Sequence, residues 1–388
     1  EGRQLYGKEA PDKCLWLQLQ ATLLKNKEGI FHIRRFAGAG GKEEKMYIGN
    51  IDGKLCWVSQ SSPNRSVCVT GSSGMGKTTR LNYMELLNAK AGATVLVLDM
   101  NQTHTEEQVF PCIREEYLKY ANRIHALRDG LGLGLLQPMY APDGTEEPFF
   151  HLVNSAVKAL SSAQNMGVRQ IGTLRNAVIN AIRYRGSFQT EAEALAISLL
   201  QQEDSCSEAV YQKLWTLLNC GALKSASKCI GKGKINMIDL SGADSATQNC
   251  LAEIFLSNLW RNVQFNGMAA MGRELVIVLD EFQNLSLKHD AVLRDMLREG
   301  RKFGLNLILA TQTLEAFPKD TLALLNQTAT RLFFRPAPSE AKRIAKEIDF
   351  ENPNGWVKTL LGLRIGESVA VGNFCIEGAE ICRPLILG

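Results

Sequence analysis

Five short apolar runs punctuate the chain: "SVCVT" at 66–70, "ATVLVLD" at 93–99, "INMIDL" at 235–240, "LVIVLD" at 275–280 and "LNLILAT" at 305–311. None alternates apolar with polar residues, which is what strands covered on both faces require. Several of the segments between them carry apolar residues at helical spacing. The pattern predicts an α/β fold with a parallel sheet. From about 115 to 228 the pattern is helical throughout, as in "LRNAVINAI", "EAEALAISLL" and "EAVYQKLWTLL", and Val210, Leu214, Leu217 and Leu218 fall on one face. This predicts an all-α insertion at 115–228 that divides a core built from 61–114 and 229–388. Residues 1–60 read as a short β-rich segment, with strand-like runs at 30–34, 46–48 and 55–58 broken by turns such as "AGAGG". The tail, "ESVAVGNFCIEGAEICRPLIL", predicts a hairpin of strands around "EGAE".

Composition narrows the class. With 388 residues, 45% hydrophobic and 22% charged, the chain is long enough for a large core and has the balance of a soluble globular protein. No apolar run approaches the ~18 residues that would span a bilayer, and no signal peptide is visible. The chain opens on Glu1 and not on Met, as a fragment would. The ten cysteines form no CxxC pair and mostly sit in apolar surroundings, which argues for reduced thiols and a cytoplasmic setting over a disulfide or zinc framework. The five histidines show no metal-ligand spacing. A net charge of +4 is compatible with nucleic-acid binding without arguing for it.

The first apolar run feeds "GSSGMGKTT", in which Gly71 to Thr78 match G-x-x-x-x-G-K-[ST] in full. Successive backbone N–H groups in such a loop form a nest for a phosphate chain, and glycines let the backbone turn and approach closely. The helix that follows aims its positive end at the same phosphates. Gly71, Ser73, Gly74, Met75, Gly76, Lys77, Thr78 and Thr79 are therefore the expected nucleotide-binding residues. Lys77 would reach the β- and γ-phosphate oxygens, and the Thr78 hydroxyl would ligate Mg²⁺.

The fourth run ends in Asp280 and Glu281, within "VIVLDEFQNL". Asp280 is expected in the Mg²⁺ sphere opposite the phosphates. Side chains alternate along a strand, so Glu281 is expected to point elsewhere and to polarise the water that attacks the γ-phosphate. The fifth run ends at Gln312, which would sense the γ-phosphate or hold that water. Arg301 follows the helical stretch "HDAVLRDMLREG", expected to stop at Gly300. It is either one of a surface cluster with Arg298 and Lys302 or an arginine that completes a neighbouring subunit's site.

These residues, with "MIDLSG" at 237–242, "REGRKFGLNLILATQT" and "TATRLFFR", resemble the FtsK–HerA superfamily, and within it the HerA-type DNA-translocating ATPases. The resemblance covers roughly residues 46–388. It implies a RecA-like P-loop NTPase core of the ASCE class, with the fifth strand between the first and the fourth. It also implies ATP and Mg²⁺ at subunit interfaces of a homohexameric ring, with duplex DNA in the pore. Lys77 and Thr78 match the family's phosphate-loop pair, Asp280 and Glu281 its metal and catalytic acids, and Gln312 its sensor. Arg301 falls where related conjugative coupling ATPases carry an interface arginine, and Arg331 and Arg335 are weaker interface candidates. By position, the segments 266–273 and 314–321, with Arg273 and Lys319, are either loops that face DNA phosphates or plain solvated loops.

The chain departs from the family in two places. Only part of the β-barrel that usually opens HerA-type proteins fits in residues 1–60, and the second strand runs into "DMNQTHTEE" and not into an acidic, glycine-containing turn. The resemblance leaves three functions open: a DNA translocase or helicase, in repair or phage defence; a conjugation or type IV secretion ATPase; and an ATP-gated scaffold for a nuclease or sirtuin-like partner.

Overall fold

The computed structural model describes residues 46–62, 64–140, 144–162, 164, 166–184, 188–224, 226–266, 275–285, 287, 291–315, 317–326 and 328–388. The reading of 1–45 as part of a β-rich segment and that of 267–273 as a pore loop, including Arg273, lie outside these residues.

The strands are β1 Met46–Ile51, β2 Lys54–Val58, β3 Val67–Thr70, β4 Thr94–Asp99, β5 Ala121–His125, β6 Ile235–Asp239, β7 Leu275–Leu279, β8 Leu305–Thr311, β9 Thr330–Phe334, β10 Ser368–Val371, β11 Phe374–Ile376, β12 Ala379–Ile381 and β13 Leu385–Leu387. The helices are α1 Lys77–Lys90, α2 Pro111–Tyr120, α3 Ala126–Asp129, α4 Phe149–Ser162, α5 Val168–Arg183, α6 Glu191–Leu200, α7 Ser207–Asn219, α8 Ser245–Asn266, α9 Val292–Glu299, α10 Lys319–Leu325, α11 Pro338–Ile348 and α12 Pro353–Gly362.

Nine strands form one sheet in the order β13-β10-β9-β3-β8-β7-β4-β6-β5. All pairings from β9 to β5 are parallel; β10 runs antiparallel to both β9 and β13. The fifth apolar run, β8, lies between the first, β3, and the fourth, β7, as the resemblance implies. The continuous apolar runs follow from this position. Along β4, Val95 and Val97 enter one core while Leu96 and Leu98 enter the other, and β7 divides Val276 and Val278 from Leu275, Ile277 and Leu279 in the same way. A strand that feeds two cores has no polar face to show.

A second, four-stranded antiparallel sheet joins the hairpin β1–β2 to the predicted C-terminal hairpin β11–β12. The buried guanidinium of Arg80, from α1, ties β1 and the loop before β10 to the phosphate-loop helix by donating to Ile48 O and Gly366 O, each at 3.0 Å.

Helices α4 to α7 form the helical layer expected between β4 and β6, and Val210, Leu214, Leu217 and Leu218 are all buried. The stretch 115–228 is not wholly helical, however. Ala121–His125 is a strand, β5, at the parallel edge beside β6. Only Ile124 of its five residues is buried, and it follows α2 with no intervening turn, so neither an apolar run nor a break marks it. Among the described residues no helix is long and apolar enough to cross a membrane.

Candidate active site

The phosphate loop leaves the end of β3 and rests on the ends of its two neighbours. Gly71 N donates to Thr311 O of β8, and Ser72 N to Arg335 O just beyond β9. At Gly71 a Cβ would lie 2.5 Å from Cβ of Phe334, so only glycine fits against that strand. Gly74 and Gly76 turn the loop with φ of +74° and +94°, and Gly76 caps α1. Lys77 is buried, and its Nζ donates to Gly71 O at 2.7 Å and Ser72 O at 3.1 Å. Burial lowers its pKa, partly countered by the Asp280 and Glu281 carboxylates.

Asp280 lies just past the end of β7 and accepts from Thr78 Oγ1 at 3.2 Å. Burial pushes its carboxyl above the usual range. The cationic His104, Lys77 and the Thr78 hydroxyl oppose that rise, and Glu281 adds to it. A hydroxyl and a carboxylate converging beside a phosphate loop form the hard-oxygen set that Mg²⁺ takes, and one further cation there would offset the cost of the buried acid. The residues present therefore fit the metal.

Glu281 reaches its place by a route other than strand alternation. The strand stops at Leu279, and Glu281 has φ +55° and ψ +41° at the head of a 3₁₀ turn, Phe282–Asn284. A left-handed backbone at a non-glycine residue costs on the order of 1–3 kcal/mol and recurs at active sites. The turn brings Gln283 back over Glu281: Gln283 Nε2 donates to Glu281 Oε2, while Gln312 Nε2, from the end of β8, donates to Glu281 Oε1 at 2.7 Å. Both oxygens of the predicted base are thus held by side-chain amides.

Ser73, Gly74, Gly76, Lys77, Thr78 and Thr79 form one wall of a cleft of about 760 Å³. Asp280, Glu281 and Gln312 face them. Gly71 and Met75 shape the loop without lining the cleft. The Met75 carbonyl accepts from Gly366 N at 3.0 Å, bringing the C-terminal loop and its half-exposed Ile365 to the cleft edge.

Arg301 is exposed and lies outside this lining. It sits in a 3₁₀ turn, Gly300–Phe303, that continues α9. Gly300 keeps a right-handed helical backbone, and the left-handed stop comes at Gly304, φ +66°. Gly300 instead allows a close approach: a Cβ there would stand 3.0 Å from the Leu305 side chain and 3.2 Å from its carbonyl. Arg331 is engaged within its own chain, with Glu347 at 3.0 Å and Asn326 at 3.2 Å. Lys319 is exposed at the start of α10.

Behind the cleft, Asp99 is the acid expected at the end of the second strand, while its partners carry no local sequence signal. Asp99 organises the unusual turn after β4 by accepting from Thr103 N at 3.0 Å and His104 N at 3.3 Å. His104 is buried with Nδ1 3.3 Å from Glu85 Oε1, and Glu85 in turn accepts from Tyr117 OH at 2.5 Å. Phe282 is fully buried and stacks on Phe317, with centroids 5.0 Å apart and planes at 10°.

No family model matches the chain. A 149-residue stretch is 26% identical to the DNA double-strand break repair helicase HerA of Sulfurisphaera tokodaii, covering 36% of this chain and 30% of that protein. The chain is therefore aligned with less than a third of the helicase's length. The VirB4 structure of Thermoanaerobacter pseudethanolicus superposes with a TM-score of 0.62 at 18% identity, covering 88% of this chain and 95% of that one. The bacterial conjugative coupling protein TrwB, also solved in complex with ADP and Mg²⁺, superposes in its unbound form with a TM-score of 0.58 at 13% identity, covering 92% and 91%. The chain therefore shares the RecA-like P-loop fold of VirB4 and TrwB and, over part of its length, is similar in sequence to HerA, with a phosphate loop that faces paired acids.

Proposed function

We propose that the chain hydrolyses Mg-ATP in this cleft and uses the cycle to move along duplex DNA as a hexameric ring. The observation that carries the catalytic part is the meeting of two walls distant in sequence: Lys77 and Thr78 on one, Asp280, Glu281 and Gln312 on the other, joined by the 3.2 Å Thr78–Asp280 contact. In this reading the loop N–H groups and Lys77 bind the phosphates, with Lys77 exchanging its two loop carbonyls for phosphate oxygens. Thr78 and Asp280 would hold Mg²⁺, which would supply charge neutralisation for the phosphates. Glu281 accepts a proton from the water aligned with the γ-phosphate. For that, an amide on the carboxylate gives way; Gln283 and Gln312 both line the cleft, and Gln312 is the more exposed of the two. Arg301, outside its own chain's cleft, is available to an adjoining subunit's phosphates.

The test is Glu281→Gln, which should keep ATP bound while abolishing turnover, with native mass measured with and without ATP. A variant that still hydrolyses, or a chain that stays monomeric with nucleotide, defeats the respective half of the reading. A second reading, a conjugation or secretion ATPase, is favoured by the extent of the VirB4 likeness, which spans 95% of that chain. Stimulation of hydrolysis by duplex DNA separates the two: a translocase responds, and an ATPase working on protein cargo does not.

A further inference from the structure

Gln312 acts on Glu281 from a segment that needs its own support. The residue is exposed and stands one position beyond the last residue of β8, Thr311. Upstream it is fixed by the sheet. Downstream, the chain turns away from the strand, and a single carboxylate receives it. Oε1 of Glu340 accepts from Thr313 Oγ1 at 2.9 Å, from Leu314 N at 2.8 Å and from Glu315 N at 3.2 Å. Arg343 Nη2 donates to the same oxygen at 3.3 Å.

Glu340 is 1% exposed, and its Oε2 is buried with no hydrogen-bond partner among the described residues. A buried carboxylate is a costly way to hold a loop, because an unpaired acid inside a protein loses its hydration. What it gains is charge-assisted bonds, shorter and roughly twice as strong as neutral ones. Its location adds a second gain: Glu340 is the third residue of α11, whose unsatisfied N–H groups and positive end favour an acid. The segment it clamps begins one residue after Gln312, so with β8 on the other side the Gln312 backbone has little freedom left. Only side-chain torsions remain to carry the amide to Glu281 Oε1.

From this we infer that Glu340 is a positioning residue for hydrolysis: it does not touch nucleotide, and it sets where Gln312 stands. The inference rests on the reading of Gln312 and Glu281 given above. Removing the clamp should cost rate and not affinity, because neither the phosphate loop nor the metal ligands depend on it.

The experiment is a kinetic cycle on the full chain. Glu340→Ala should lower kcat for ATP about ten-fold with KM unchanged within about two-fold, comparable to the expected loss in Gln312→Ala. Glu340→Gln keeps one oxygen for Thr313 and Leu314 and should recover most of the rate. In the double variant, adding Glu340→Ala to Gln312→Ala should cost nothing further, since one residue works through the other. A lowered kcat in Gln312→Ala with a fully additive loss in the double variant overturns the inference and leaves the site reading intact. A wild-type kcat in Gln312→Ala overturns both. Should Glu340→Ala not fold, Thr313→Val removes one of the clamp's bonds and leaves the backbone donors. A rate loss there that is absent on a Gln312→Ala background supports the inference, and an unchanged rate overturns it.

Discussion

Gln312 donates to Glu281 at 2.7 Å, joining the ends of β8 and β7, while Gln283 holds the other carboxylate oxygen from within Glu281's own turn. The acid is thereby oriented before any water arrives. Orientation of this kind is what a general base contributes beyond its basicity. Glu281→Gln is expected to lower kcat by about 10²–10⁴-fold while leaving ATP affinity within a few-fold, as read by single-turnover hydrolysis and nucleotide-binding titration. Retained turnover would remove Glu281 from the chemistry.

Arg301 gives a prediction that only an assembly can meet. Arg301→Ala and Glu281→Gln should each be inactive alone, the arginine variant by about 10³-fold or more. Mixed in equal amounts they should recover part of the activity, because some interfaces then join an intact Glu281 to a neighbour's intact Arg301. A mixture no more active than its components would return Arg301 to the surface cluster with Lys302.

The turn after β4 makes stability depend on pH. Burial alone would lower His104. The Glu85 carboxylate at 3.3 Å, with Asp99 and Asp280 nearby, outweighs it and holds the imidazole up at about 9; Asn82 and, through Glu85, Tyr117 complete the surroundings. The folded value lies above the ordinary 6.5. The contribution is therefore complete below about pH 6.5, declines as pH rises and is lost above about 9. It amounts to roughly 3 kcal/mol, one pKa unit being about 1.4 kcal/mol. Thermal midpoints of the wild type should fall between pH 6.5 and 9 relative to those of His104→Gln. Parallel curves would mean that the ion pair does not form.

Arg261 anchors the helical layer to the core. It is 3% exposed, meets the fully buried Glu147 through Nε at 2.8 Å, and donates to Gln137 O at 2.7 Å and Gly134 O at 3.2 Å. Arg261→Ala should destabilise the chain by about 3 kcal/mol, because it leaves the buried Glu147 carboxylate with only His151 Nδ1 and Met139 N as partners among the described residues. The double change Arg261→Met with Glu147→Leu should cost less than Arg261→Ala alone in denaturant unfolding. Equal or greater loss in the double variant would show that the carbonyl contacts, and not the charge, carry the anchor.

How much of this was legible in the sequence depended on the range of each interaction. β3, β4, β6, β7 and β8 announced themselves because burial on both faces forces unbroken apolar runs. The phosphate loop was legible because anion binding by backbone constrains residue type at fixed spacing. β5 was hidden because a polar edge strand needs no such run. The backbone route to Glu281 is hidden because the strand ends at Leu279 and a single left-handed residue replaces the alternation, and Gly304, not Gly300, is the left-handed stop after α9. Gln283 lay in plain view in "DEFQN", yet only the 3₁₀ turn gives it a partner. Glu340 and His104 act across 27 and 19 residues of chain, and nothing in their immediate neighbours marks them.

The stacked rings of Phe282 and Phe317 join two segments that are 35 residues apart in the chain. Phe282 follows Glu281 directly, and Phe317 lies two residues before Lys319. Two flat rings in contact transmit a push that a slack loop would absorb, and they hold together by about 0.5–1.5 kcal/mol beyond their buried area. The contact ties the Glu281 turn to the segment that leads into α10 by a route outside the sheet. Anything that shifts the start of α10 therefore meets the Glu281 turn through this one pair of rings.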